Sequence, residues 1–137
     1  MPKTNLQQHI LIDALPSKVW KVLTCSSYLV QYLFEGNVHC RWTEGSPLTL
    51  VDDAGGALET THKGNVEQVV PGVLLKYNLQ GKDSLCIDTT YELIPAENGV
   101  QLKIHCEGFE DSEEEFTIRV QQIRLLLQKI KWLAEYA

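Results

Sequence analysis

Polar side chains that alternate with large apolar residues in the middle of the chain are the best candidates for chemistry in this sequence. Tyr77 lies in the apolar run Val73–Leu79, and Thr89 and Tyr91 lie in the run Cys86–Ile94. Successive side chains of a β-strand point to opposite faces, so these polar residues would share a face with neighbouring aliphatic residues. A few polar groups that converge in an apolar cleft are typical of a small-molecule site. We therefore expect the hydroxyl groups to point toward the interior of the protein.

Other residues extend this candidate ligand-binding site. The same alternation in Leu58–Val70 places His62 and Gln68 on the inward face, and we expect Trp42 at the rim. The predicted ligand-binding set is Trp42, His62, Gln68, Tyr77, Thr89 and Tyr91. The alternative is a filled core, in which these side chains bond one another, the backbone or water.

Catalysis would need an acid and a base within reach of each other, and His62 with Tyr91 is the pair that could serve. An inward histidine is more often a satisfied core residue. The sequence contains no Ser–His–Asp signature, no phosphate-binding glycine loop and no HExxH motif. We therefore assign no catalytic residue and favour a binding module over an enzyme.

Metal and cofactor sites are not predicted. The pairs His39-Cys40 and His105-Cys106 each consist of adjacent residues, whose side chains point to opposite faces of a strand and cannot easily chelate one ion. No CxxC motif is present. We expect the cysteines, at positions 25, 40, 86 and 106, to be buried or half-buried thiols in a reducing compartment.

Composition restricts the class of partner. The chain of 137 residues fits one domain, spanning 1–137. Its formal charge of −6 and dispersed basic residues argue against nucleic acid, which requires clustered lysine and arginine. The polar segment Met1–Gln8 lacks the apolar stretch of a signal peptide. A membrane span needs about 20 consecutive apolar residues, and no run in the sequence is that long. We expect a cytoplasmic protein.

The order of predicted elements defines an α+β domain. A strand over Leu6–Ala14 precedes a helix over Pro16–Leu23 and a second short helix, which begins with Ser26 or Ser27 as its N-cap and ends at Gly36. Six further strands follow, divided by turn residues of which Asn98-Gly99 gives the firmest hairpin signal. They are approximately Val38–Trp42, Pro47–Val51, Leu58–Val70, Val73–Leu79, Cys86–Ile94 and Val100–Glu107. Short connections between them predict an antiparallel meander.

The last segment predicts a long helix that must pack on this meander. Ser112 and Glu115 match a capping box, and the acidic residues of Glu107–Glu115 are expected to be solvated. An apolar stripe then follows at helical spacing: Phe116, Val120, Ile123, Leu127, Ile130 and Ala134, widened by Leu126 and Leu133. The predicted architecture is a curved antiparallel sheet of about six to seven strands wrapped around this helix.

Several segments resemble one family of the helix-grip superfamily of START-like and birch-allergen-like (SRPBCC) proteins, the homologues of the activator of heat-shock-protein-90 ATPase. They are Ala14–Trp20, Trp42–Ser46, Gly64–Val66, Thr90–Leu93 and Gly108-Phe109. The resemblance covers nearly the whole chain. It implies the helix-grip fold and a cavity between sheet and helix, which superfamily members use for apolar ligands. It also suggests a co-chaperone-like protein contact.

The outer face of the last helix carries a second apolar set. At 100° per residue, Ile118, Leu125, Trp132 and Tyr136 fall in a narrow arc opposite the core stripe. One interpretation is that they are scattered exposed residues or are partly covered by the short helices or the N-terminal arm. The other is a protein contact, most simply a homodimer in which this helix meets its own copy.

Three functions are compatible with these features. The first hypothesis is a non-enzymatic module that binds a small apolar or amphipathic ligand in an internal cavity. The second is a protein-interaction domain, and the third is a small cyclase or lyase. A large apolar cavity would favour the first over the second.

Overall fold

The computed structural model describes residues 5–33, 36–52, 58–81 and 84–137. The elements follow one another as β1 (Asn5–Ile12), α1 (Pro16–Thr24), α2 (Ser26–Tyr32), β2 (Asn37–His39), β3 (Pro47–Asp52), β4 (Glu59–Val70), β5 (Leu74–Gly81), β6 (Asp88–Ala96), β7 (Gly99–Glu107) and α3 (Glu113–Tyr136). The strands form one antiparallel sheet in the order β1-β7-β6-β5-β4-β3-β2. The predicted α+β meander is therefore confirmed.

Helix α3 packs most of its predicted apolar stripe in the core, but Phe116 at the start of the stripe is exposed. Ile123, Leu127 and Ile130 are almost completely buried in the core. At its start, the backbone N–H of Glu115 donates to the Ser112 hydroxyl at 3.2 Å, and the N–H of Ser112 donates to the Glu115 carboxylate at 3.1 Å. This capping box satisfies backbone donors that no helical partner could reach, and it fixes where the helix begins.

The start of α2 differs from the prediction. Cys25 is the N-cap residue, and Ser26 is already the first residue of the helix. The Ser26 hydroxyl donates instead to the carbonyl of Val38 at 3.1 Å, which ties α2 to β2. The N-cap prediction was wrong for both serines, since Ser26 and Ser27 lie within the helix and the Ser27 hydroxyl contacts the Cys25 sulfur at 3.2 Å.

The expectation of free thiols is also wrong for two of the cysteines. Cys86 and Cys106 form a disulfide with a Cα–Cα distance of 5.5 Å, within the usual range for such bonds. Cys25 and Cys40 remain free and half-buried, as expected. The pairing joins the segment before β6 to the end of β7.

None of the helices in the described part of the chain is long and apolar enough to cross a membrane. Within the same residues, no group of three or more His, Cys, Asp and Glu side chains could hold a metal ion.

Candidate functional site

Strands β5 and β6 bring the predicted hydroxyl groups together. Tyr77 lies opposite Thr89 in the register, and Leu75 lies opposite Tyr91. All three polar side chains are buried, and the rings of Tyr77 and Tyr91 lie 6.5 Å apart between centroids. Alternation along the strands is sufficient to predict this cluster, because both strands are regular here. We refer to Tyr77, Thr89 and Tyr91 as the hydroxyl cluster.

The hydroxyl cluster stays protonated at neutral pH. Burial raises the pKa of Tyr77 to about 12, with side-chain hydrogen bonds to Thr89 and Tyr91 acting in the opposite direction. Burial likewise raises the pKa of Tyr91 well above its usual value, and the neighbouring Tyr77 adds to the effect. The neutral phenols can therefore both donate and accept hydrogen bonds.

A cavity lies beside this cluster, between the sheet and α3. Among the described residues it is lined by Leu33, Tyr77, Leu79, Leu85, Cys86, Thr89, Tyr91, Ile104 and Leu126. Its volume is about 30 Å³, which is the space of about one or two water molecules. Pockets that enclose drug-sized molecules measure about 300–1,000 Å³. The interior beside the cluster is therefore nearly filled, and it is not the large apolar cavity that would favour a ligand-binding module over a protein-interaction domain.

Trp42 lies next to the cluster, as expected for a residue at its rim. Its ring meets the ring of Tyr77 edge-on, with centroids 5.9 Å apart and an interplanar angle of 72°. The predicted strand Val38–Trp42 ends earlier, at His39, and Trp42 adopts a positive φ of 55°. Its buried indole N–H has no acceptor among the described residues. A strained residue with an unsatisfied buried donor is unusual and occurs more often at functional sites than elsewhere.

His62 is buried but lies far from the hydroxyl cluster. It pairs with Gly81 on β5, whereas Tyr91 pairs with Leu75, six residues earlier on the same strand. At about 3.3 Å per residue this separates the two positions by about 20 Å along the sheet. The His62 ring packs over Gly81, where an added Cβ would lie 2.6 Å from a ring carbon, and its Nδ1 bonds the Thr61 hydroxyl at 2.8 Å. The predicted acid/base pair of His62 and Tyr91 is therefore not assembled.

Gln68 does not point inward, and this part of the prediction is wrong. The register of β4 against β5 shifts between Val66 and Gln68, where a β-bulge inserts an extra residue. The bulge moves Gln68 to the exposed face. Val69 takes the inward position opposite Leu75 and packs against the core.

Arg119 is an organising residue that sequence reasoning missed. Its guanidinium group donates to both carboxylate oxygens of Asp111, at 2.7 and 3.1 Å, and to the carbonyl of Leu85 at 2.5 Å. It also lies 3.6 Å from the centre of the Phe109 ring. The Asp111 side chain is only 3% exposed, so the expectation that every acidic residue of this segment is solvated fails here. In the sequence, the pair is visible only as an arginine eight residues after an aspartate. This spacing is too common to identify a buried ion pair.

The outer face of α3 is exposed, as its helical spacing predicts. Ile118, Leu125, Trp132 and Tyr136 are between 52% and 73% exposed. Trp132 and Tyr136 contact each other, with ring centroids 6.0 Å apart. We call these residues the α3 outer face. Neither short helix covers them, and the first four residues of the N-terminal arm lie outside the described residues.

A curved antiparallel sheet that encloses a long C-terminal helix, with two short helices after the first strand, defines a helix-grip protein. Residues 13–135 match the family described as Activator of Hsp90 ATPase homolog 1-like protein. The chain belongs to this family, as its sequence motifs suggest. No curated protein matches the sequence.

Solved structures agree with this assignment of the fold. The Aha1 dimer from Colwellia psychrerythraea is similar over 97% of both chains, with 15% identity and a TM-score of 0.76. ChR145 from Cytophaga hutchinsonii is similar over 96% of this chain and 94% of its own, with 21% identity and a TM-score of 0.80. CV1439 from Chromobacterium violaceum covers 97% of this chain and 98% of its own, with 21% identity and a TM-score of 0.69.

Proposed function

We propose that this protein is a non-enzymatic module that binds a small apolar or amphipathic molecule between the sheet and α3. The observation that carries the proposal is the convergence of the hydroxyl cluster on a cavity whose other walls are aliphatic side chains and Cys86. Such a combination of apolar walls and a few polar groups is typical of ligand sites. Trp42, with its unsatisfied indole N–H beside Tyr77, extends the polar end of this site.

The chemistry of the cavity restricts the ligand to an uncharged molecule. No charged side chain is among the described residues that line the cavity, so an ionic group there would lack a compensating charge. The neutral phenols instead favour a carbonyl or hydroxyl group. Because the cavity holds only about 30 Å³, a ligand larger than a few atoms must displace the side chains that close it, among them Leu33 and Leu85.

The test is native mass spectrometry of gently purified protein, followed by denaturation and analysis of released small molecules. We expect a retained neutral compound of defined mass in the wild type. Tyr91→Phe removes one hydroxyl from the cluster and should lower the retained fraction by about tenfold, in line with the loss of one buried hydrogen bond. Tyr136→Phe is the matched control, because its ring is exposed on α3 and the retained fraction should not change. A bare polypeptide mass under mild conditions, or equal retention by both variants, would contradict the proposal.

A protein contact through the α3 outer face is the second candidate, because its large apolar side chains share one exposed line. A second copy of this chain fits the face by symmetry. Ile118 and Trp132 each lie seven residues from Leu125, so an antiparallel two-fold pair centred on Leu125 would place Ile118 against the partner's Trp132. The Aha1 protein from Colwellia psychrerythraea is a dimer, which supports self-association of this chain but does not identify the surface used. A co-chaperone-like contact rests on the family description alone.

A cytoplasmic location completes the proposal. It is supported by the free thiols of Cys25 and Cys40, and it requires the Cys86–Cys106 disulfide to be a transient one. The third hypothesis, a cyclase or lyase, has no support from the geometry, since its two candidate residues lie on distant parts of the sheet.

A further inference from the structure

The Cys86–Cys106 disulfide occupies a position that links the cavity to the redox state of the surroundings. Cys106 lies on β7 opposite Thr89 of the hydroxyl cluster. Cys86 lies two residues before β6 and lines the cavity itself. Cys86 retains 7% exposure, whereas Cys106 has none. Cys86 is therefore the more exposed residue of the pair, and we expect a reagent to attack its sulfur.

Hydrogen bonds also hold the cavity wall next to this bond. Leu85 and Cys86 belong to a short segment before β6 that is not part of a strand. Its described hydrogen bonds include those from Arg119 to the carbonyl of Leu85 at 2.5 Å and from the N–H of Leu79 to the carbonyl of Ile87 at 2.8 Å. The disulfide adds the covalent attachment of this wall to β7.

We propose that Cys86 and Cys106 form a reversible thiol–disulfide site that controls how firmly the cavity is closed. The oxidised bond holds Leu85 and Cys86 against β7, and reduction releases this wall so that a molecule can enter or leave. The second half of this inference, the control of entry to the cavity, rests on the proposed ligand-binding function. The first half, the reversible bond, stands on the positions of the two cysteines alone. Disulfides in a reducing compartment are usually transient or redox-sensing, which agrees with the proposed cytoplasmic location.

The reaction is ordinary thiol–disulfide exchange with a cellular dithiol. One thiolate of the dithiol attacks the Cys86 sulfur, the Cys86–Cys106 bond breaks, and Cys106 leaves as a thiolate that takes up a proton. The second thiolate of the dithiol then attacks its own sulfur in the mixed disulfide and releases Cys86. The protein gains two electrons and two protons, and the dithiol becomes a disulfide.

The first experiment counts thiols by alkylation in denaturant and intact mass measurement. After treatment with oxidised glutathione we expect two alkylated cysteines, Cys25 and Cys40, and after dithiothreitol we expect all four. A Cys25→Ser/Cys40→Ser variant keeps the proposed pair. It should show no alkylated cysteine after oxidised glutathione and two after dithiothreitol. Four reactive thiols in the glutathione-treated wild type, or a bond that native dithiothreitol cannot reduce, would overturn the site.

The second experiment measures amide hydrogen exchange by nuclear magnetic resonance in both redox states of the wild type. We expect the amides of Leu85 and Cys86 to exchange about tenfold faster after reduction, while those of β1 keep their rates. Equal rates at Leu85 and Cys86 in the two states would overturn control of the cavity wall. Thiol counting and hydrogen exchange do not require a ligand. An empty cavity in mass spectrometry would therefore refute the proposed ligand binding and leave the test of the disulfide unaffected.

Discussion

Arg119 shows how one side chain can hold two connecting segments in place. Its guanidinium group, 13% exposed, joins Asp111 before α3 to Leu85 before β6 and stacks on Phe109. A buried charge is costly unless it is paired and its donors are satisfied, and these contacts meet that condition. The planar fork of arginine reaches both carboxylate oxygens at once, which a lysine ammonium cannot do.

Arg119→Lys should therefore lower the free energy of unfolding although it keeps the charge. We expect a loss of about 1.5–3 kcal/mol, the range for charge-assisted hydrogen bonds, from urea unfolding. Arg124→Lys is the matched control, because Arg124 is exposed on the same helix and should change stability by less than about 0.5 kcal/mol. Equal effects of the two substitutions would mean that the Asp111 pair contributes little.

Residue positions in this site were predictable where the strand is regular and not where it is interrupted. Tyr77, Thr89 and Tyr91 follow simple alternation, and all three reach the interior. Gln68 follows the same alternation in the sequence, yet the bulge after Val66 turns it outward. Nothing in the local residues marks that bulge, because it arises in the pairing of β4 with β5, where Glu67 has no partner in the register. Contacts between distant residues, such as the Cys86–Cys106 pair 20 residues apart, are equally invisible to local patterns.

At the scale of elements, local signals determine the ends of α3 more firmly than those of α2. The α3 capping box needs only Ser112 and Glu115, which are three residues apart, so the sequence is sufficient to place the start of the helix. The start of α2 has no side-chain cap, and its Ser26 hydroxyl bonds instead to the carbonyl of Val38, twelve residues away. A helix start without a side-chain cap is beyond what capping rules can predict.

Ser112→Ala should destabilise the protein through the first turn of α3. Loss of the hydroxyl removes the acceptor for the Glu115 N–H, and we expect a cost of about 1 kcal/mol in thermal or urea unfolding. Ser112→Asp should retain most of the stability, because aspartate is an equally good N-cap. If both variants lost the same free energy of unfolding, loss of the N-cap would not be the cause of the destabilisation.

At the scale of the whole molecule, α3 presents apolar residues on two sides. One side fills the core with Ile123, Leu127 and Ile130, and the α3 outer face remains exposed. The fold needs only the first of these. The large aromatic and aliphatic residues of the α3 outer face form a line of exposed apolar surface. Burying this surface in a contact with another molecule would be favourable.

Trp132→Glu should weaken association if that contact is a homodimer. The substitution places a charge opposite Ile118 of the second copy, where water would be excluded, and we expect the dissociation constant from sedimentation equilibrium to rise by at least about tenfold. Val73→Glu is the control, because Val73 is half exposed outside α3 and should leave association unchanged. A wild type that stays monomeric at high concentration would exclude the dimer. A dimer that persists in Trp132→Glu would mean that the two copies meet through another surface, leaving the α3 outer face to a different protein.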